Sequence, residues 1–311
     1  MKGATMKPLN EEQKKVLEQF DQLAKIEGSQ NKACQKVGIS SAIISGIRSG
    51  KYEGDADKQI QKLQDYFSVK DEAVESYVNS GYVETSISKK VYGYIRNAQI
   101  KGGLIALSGD AGIGKTQAIR KYVHDHPYDT IWITANPCLN SIKPVLKALC
   151  RELNVIARTN DDMYIGIQDK LRDGMVLVFD EAQHLHLKTI EVLRGFSDYF
   201  ADNGMTLGII FIGNVETINK FGGKQEAVFH QISNRTKQKP VLKATDITRE
   251  DIECLFPEIA NEATSVDFLW GIAQSAQAIR GATNLYSNAF DNGDTSYEGL
   301  VAMAKHMEMR L

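Results

Sequence analysis

The stretch "GGLIALSGDAGIGKTQAIRKYV", residues 102 to 123, constrains this chain more than any other. An apolar run enters a glycine-rich loop, and the loop opens a segment with helical periodicity. Gly109, Gly114, Lys115 and Thr116 satisfy G-x-x-x-x-G-K-[ST]. The pattern needs a strand before it and a helix after it. Its glycines let the backbone turn tightly, so that N–H groups point inward, and the helix adds the positive end of its dipole. The loop from Gly109 through Asp110, Ala111, Gly112, Ile113 and Gly114 to Lys115, Thr116 and Gln117 is therefore a candidate cradle for the phosphates of a nucleotide such as ATP. In it Lys115 would reach the β- and γ-phosphates, and the Thr116 hydroxyl would ligate Mg²⁺.

The rest of the central region follows the same alternation. "LIALSG", "TIWITA", "MVLVFD" and "LGIIFIGN" are apolar at consecutive positions, as strands buried on both faces are, and helical segments separate them. A parallel α/β sheet over about residues 102 to 240 is expected. After about 245 no strong strand remains, and "ITREDIECLFPEIA" and "VDFLWGIAQSAQAIR" each read as a helix. The chain of 311 residues has room for this domain and one or two small satellites.

Two acids and an amide sit where such a sheet binds ligands, at the carboxyl ends of its strands. Asp180 and Glu181 end "MVLVFD"; Asp180 is placed to hold Mg²⁺ and Glu181 to polarise an attacking water. Acids that favour the start of a helix are the plainer alternative. Asn214, at the tip of "LGIIFIGN", could position that water or meet the γ-phosphate, or only form a turn.

These motifs, with Arg235 in "HQISNRTKQKPVL", resemble the AAA+ ATPase core over about residues 85 to 300. The resemblance implies ATP hydrolysis with Mg²⁺. It also implies that Arg235 meets the γ-phosphate held by a neighbouring subunit, which ties hydrolysis to assembly. In that family a second arginine reaches the nucleotide from a helical lid within G-x-x-R. Here Asn284 stands at that place, and Arg280, four residues earlier, is the remaining candidate.

Residues 30 to 52 form a second informative stretch, "QNKACQKVGISSAIISGIRSGKY". Cys34 is small mid-way along a first helix, and Gly38 supplies a turn. Ala33, Val37, Ile39, Ile44 and Ile47 fill the apolar positions that pack two helices together. The stretch resembles the phage-repressor type of helix-turn-helix. Its second helix, starting near Ser40 or Ser41, would present Ser41 and Ser45 to a DNA groove, with Arg48 and Lys51 beside the backbone. That face is poor in the Arg, Asn and Gln that read base edges, so weak or non-specific contact is expected over strict sequence reading. A helical bundle that contacts protein is the alternative.

Domain order and size together resemble the family of phage Mu B transposition proteins. The expected fold class is α/β: an AAA+ P-loop parallel sheet with flanking helices over residues 86–243. A small all-α helix-turn-helix domain over 1–75, with a linker to about 85, would precede it, and a small helical lid over 244–311 would follow. The resemblance implies cooperative, ATP-dependent self-assembly, as a ring or helical filament, on double-stranded DNA, with a transposase as partner. Independently, Lys143, Lys147 and Arg151 recur every four residues in "NSIKPVLKALCREL", a basic stripe that assembly would repeat. A net charge of -2 means that DNA binding would need such a local patch.

Three other readings compete: a transcription regulator switched by ATP, a helicase loader that favours single strands, and a scaffold that binds nucleotide without hydrolysis. The four cysteines lack metal-ligand spacing, the first residues are polar, and no apolar run nears the about eighteen residues of a membrane span. A cytoplasmic protein with no membrane partner is expected, in a bacterial host's cytoplasm if a phage encodes it.

Overall fold

The structure, a computed structural model, describes residues 9–75, 81–217 and 236–309. The chain divides into two units, Met1–Asn79 and Ser80–Leu311.

The first unit is helical. Helix α1 (Glu11–Ile26) starts at a reciprocal cap between Asn10 and Gln13 and buries Val16, Leu17 and Phe20. Helices α2 (Gln30–Val37) and α3 (Ser41–Arg48) are each capped by a serine, Ser29 and Ser40. Gly38, at φ 72°, ends α2 in the left-handed region that a side chain would resist, and this turns the chain into α3. Helix α4 (Ala56–Glu75) completes the set. Phe20, Ala33, Cys34, Ile39, Ile44, Ile47, Ile60 and Leu63 form one buried cluster. Val37 packs against it only partly buried.

The second unit opens with α5 (Ser86–Lys101), which starts inside the polar stretch that follows the first unit. Strands β1 (Gly103–Gly109), β2 (Thr130–Thr134), β3 (Met175–Asp180) and β4 (Leu207–Gly213) are the four apolar runs of the sequence. Two short strands, β5 (Thr236–Gln238) and β6 (Val241–Leu242), both pair with β1. The sheet order is β2-β3-β4-β1-β5, and every pairing is parallel. β1 therefore lies inside the sheet, and the loop after it opens at the carboxyl edge, as do the ends of β3 and β4.

Helices α6 (Lys115–Asp125), α7 (Ile142–Glu152), α8 (Asn160–Lys170) and α9 (Leu187–Asp202) lie between the strands in sequence. α7, α8 and α9 share a core with one face of the sheet, where Phe179 and Phe211 stack with centroids 5.4 Å apart. Beyond the sheet come α10 (Arg249–Leu255), α11 (Ala263–Gln274), α12 (Ala278–Asp291) and α13 (Tyr297–His306).

The structure corrects one expectation here. "VDFLWGIAQSAQAIR" is not a single helix: α11 stops at Gln274 and α12 starts at Ala278. Ser275 is extended, its hydroxyl accepts the Gln277 N–H at 3.1 Å, and Ala278 is left-handed at φ 53°. The break lets the Arg280 N–H donate to the Gly112 carbonyl at 3.1 Å, an acceptor on the phosphate loop that a continuous helix would not meet.

Candidate nucleotide site

The loop after β1 takes its shape from glycine and from its neighbours. Gly112 and Gly114 sit at φ 79° and 95°, the left-handed region. Gly114 caps α6 without a side-chain hydrogen bond, so among the described residues no cap side chain covers the first N–H groups of that helix. The Asp110 N–H donates to the Leu242 carbonyl at 3.1 Å. The Asp110 carboxylate accepts the Ala244 N–H at 2.8 Å. A Cβ at Gly112 would stand 3.1 Å from Arg280 Cβ. The loop is thus held on one side by the chain leaving β6 and on another by α12.

Lys115 donates through Nζ to the carbonyls of Gly109 (2.9 Å) and Asp110 (2.7 Å). Burial lowers its pKa, against the pull of Asp180, Glu181 and Asp110. Thr116 Oγ1 donates to Asp180 Oδ2 at 2.9 Å, and the Glu181 N–H donates to Asp180 Oδ1 at 2.9 Å. Asp180 is buried, which raises its pKa, and these two donors oppose the rise. Glu181 is exposed and left-handed at φ 54°, an uncommon conformation for a residue with a side chain.

These donors fit Mg²⁺ and a nucleotide. A hydroxyl and a carboxylate, two hard oxygen donors in contact, suit a cation that takes few protein ligands and completes its shell from phosphates and water. The uncapped helix start and the lysine on exchangeable carbonyls suit polyphosphate.

At the tip of β4, Asn214 Oδ1 accepts the Glu216 N–H at 2.9 Å, so that oxygen already shapes a turn. Its own N–H donates to Gln183 Oε1 at 3.3 Å, and Gln183 Nε2 donates to Glu181 Oε2. Reading the sequence missed Gln183; the only signal was a polar side chain two positions after Glu181. Arg280 is exposed beside the loop and is one of the charges that act on Lys115. Asn284 is exposed one turn on. Arg235 lies outside the described residues.

The residues considered for DNA divide into two kinds. Lys143, Lys147 and Arg151 are exposed along α7, opposite its buried Val145, Leu146, Leu149 and Cys150, with no ion pair among the described residues. In the helical unit, Gln30 Nε2 donates to Ser41 Oγ at 2.9 Å and to Ser45 Oγ at 3.4 Å. Arg48 pairs with Asp21, bonds Gln30 Oε1 at 3.3 Å and lies 5.8 Å from the Phe20 ring centre. Ser41 is half-buried, Ser45 exposed, and Arg48 is committed to partners within its own unit. Lys51 is exposed. The described residues include no helix long and apolar enough to cross a membrane. They also include no cluster of three or more His, Cys, Asp or Glu side chains able to hold a metal ion.

Comparison with known proteins agrees with this architecture. Residues 99–221 match the AAA domain family model. The chain is 26% identical over 250 residues to the ATP-dependent target DNA activator B of Escherichia phage Mu, covering 78% of this chain and 77% of that protein. It is 25% identical over 201 residues to the Mu-like prophage FluMu DNA transposition protein B of Haemophilus influenzae, covering 63% and 67%. Among solved structures, the Aeropyrum pernix ORC2 protein, described as ADPNP-ADP complexes, is similar in fold. Its TM-score is 0.53 at 12% identity, over 73% of this chain and 70% of that one. The second unit has an AAA-type P-loop fold over the matched region, and the chain resembles the Mu B transposition proteins.

Proposed function

From that relationship we propose that the chain hydrolyses ATP, assembles in its ATP form on double-stranded DNA with little sequence preference, and recruits or activates a transposase. The observation that carries the catalytic half is the linked set Thr116–Asp180–Glu181 beside the phosphate loop. The relatives' names, a target DNA activator and a DNA transposition protein, support the other half. So does the basic stripe of α7, which has no ion pair among the described residues.

Each residue has a task in this reading. Lys115 exchanges its carbonyl partners for phosphate oxygens and offsets charge that develops in transfer. Thr116 and Asp180 would hold Mg²⁺, which would supply neutralisation of phosphate charge. Glu181 orients water as a base, and Asn214 stands at the strand tip beside it. Arg235 acts on a neighbouring subunit's nucleotide. Arg280 reports nucleotide to α12 through its bond to Gly112. Lys143, Lys147 and Arg151 touch phosphates of the duplex, and Lys51 adds a weaker contact. The setting is the cytoplasm.

The test is fluorescence anisotropy of a random-sequence duplex titrated in ATP, ADP or no nucleotide. Tight, cooperative, salt-sensitive binding only in ATP is the expected result. Equal binding in all three states, or none, would overturn the coupling. A preference for single strands would support a helicase loader, and a sequence-specific footprint a regulator. Arg235→Ala should bind ATP yet lose DNA-stimulated turnover. Mixing it with Lys115→Ala, whose arginine is intact, should restore part of that turnover if Arg235 acts in trans.

A further inference from the structure

Between the end of β3 and the end of β4 lies a link that the proposed mechanism does not use. Gln183 sits in the short turn after Glu181, and its amide faces two groups with fixed roles. The Glu181 carboxylate can only accept, and the Asn214 N–H can only donate. The amide must therefore turn its NH₂ to Glu181 and its oxygen to the N–H at 3.3 Å. No flipped arrangement satisfies both groups.

The backbone makes room for this bridge. A Cβ at Gly213 would come within 2.3 Å of Gln183 Oε1, so only glycine before Asn214 lets the amide approach β4. Glu181 is held at a second point too, since its N–H is bonded to Asp180 and its backbone is left-handed. Carboxylate and backbone are thus fixed by different partners, one on its own strand and one tied to β4.

Resting on the reading of Glu181 as the base, we propose that Gln183 is a positioning residue that fixes the Glu181 carboxylate and couples it to the tip of β4. A carboxylate on an exposed side chain otherwise samples several rotamers, and few of them aim at a bound water. Displacement of the β4 tip moves the Asn214 N–H donor that holds the amide, and the carboxylate follows. Turnover therefore depends on Gln183 while nucleotide affinity does not.

Gln183→Glu breaks the link at its Glu181 end: it keeps length and the acceptor for Asn214, removes the donor to Glu181 and sets a second carboxylate against it. Gln183→Met removes the hydrogen bonds to Glu181 and Asn214 and keeps the bulk without that added charge. A loss shared by both variants therefore reports the lost link rather than repulsion, and Gln183→Met decides the question if the first variant fails to fold. Steady-state ATP turnover with duplex DNA and affinity for a fluorescent ATP analogue are measured on the full chain, beside Glu181→Gln. The expected result is a kcat lowered about tenfold or more in both Gln183 variants, part of the roughly 10²–10⁴-fold that a positioned base contributes. KM and analogue affinity stay within about twofold of the unaltered protein.

Wild-type kcat in Gln183→Glu, with Glu181→Gln inactive, overturns the positioning role and leaves Glu181 as the base. Wild-type turnover in Glu181→Gln overturns the base assignment, and the inference falls with it. Parallel loss of kcat and nucleotide affinity overturns it as well, because a disturbed loop rather than a misplaced carboxylate then explains the defect.

Discussion

Lys115 and Arg48 are both cations that the sequence marks as candidates for contact with anions, but they are held differently. Lys115 rests on two neutral carbonyls, with carboxylates acting on it from nearby. Arg48 is paired with a carboxylate, bonded to an amide and laid over a ring. Exchanging a carbonyl for a phosphate oxygen gives a half-buried ammonium a charged partner in place of a neutral one. Exchanging Asp21 for a phosphate replaces one anion by another and strands a carboxylate. A cation with neutral partners is available to a ligand; one paired at home is largely occupied. The basic stripe of α7, exposed and without ion pairs among the described residues, falls on the available side.

The sharpest way to break this comparison is Lys115→Ala. If the ammonium is the phosphate anchor, ATP binding and duplex binding disappear together. Turnover then falls by about 10³-fold or more, at or beyond the range seen when one transition-state donor is removed. Turnover and anisotropy check it, and tight duplex binding by this variant in ATP would uncouple the two activities.

Ile44→Ala probes the other region. Ile44 is fully buried in the helical cluster, and its truncation should cost about 2–5 kcal/mol through lost transfer energy and a residual cavity. Thermal melting should show that loss in the first unit, with ATP turnover unchanged within about twofold. A matching fall in turnover would mean that the two regions are energetically coupled.

The parts of this fold that could be read from the sequence share one property: the signal is local. Consecutive apolar residues marked the four long strands, because strands covered on both faces need them. G-x-x-x-x-G-K-[ST] marked the loop, because only glycine tolerates the φ of Gly112 and Gly114. What escaped depends on partners distant in the chain. The break between α11 and α12 leaves little trace in composition, since Arg280 bonds Gly112 across 168 residues. Gln183 was missed because its meaning comes from Asn214, 31 residues on, and from the missing Cβ of Gly213. Likewise no periodicity in α3 shows that Arg48 belongs to Asp21 on α1.

Replacing Lys143, Lys147 and Arg151 together with alanine sharpens the comparison from the DNA side. Every cation that touches a phosphate adds about 0.9 to the slope of log affinity against log salt, so the triple variant should flatten that slope by about 2.7 if all three touch the duplex. Nucleotide affinity should not move, because all three are exposed on α7. An unchanged slope would take α7 off the DNA interface.

The smallest effect belongs to Arg48→Ala. The two side chains of its pair are 34% and 52% exposed, so water and salt screen the attraction, and such pairs contribute about 0–1 kcal/mol. The stacking of the guanidinium over Phe20 adds little at an exposed site. Thermal stability should fall by no more than that. Asp21→Ala should lose a similar or smaller amount, and the double variant little more than Arg48→Ala, because the shared ion pair is counted in both single losses. If the guanidinium is occupied within its own unit, duplex affinity and its salt slope stay as they were. A slope flattened by about 0.9 in Arg48→Ala would show that a carboxylate partner does not keep an arginine from DNA, and the distinction drawn between the two cations would then fail.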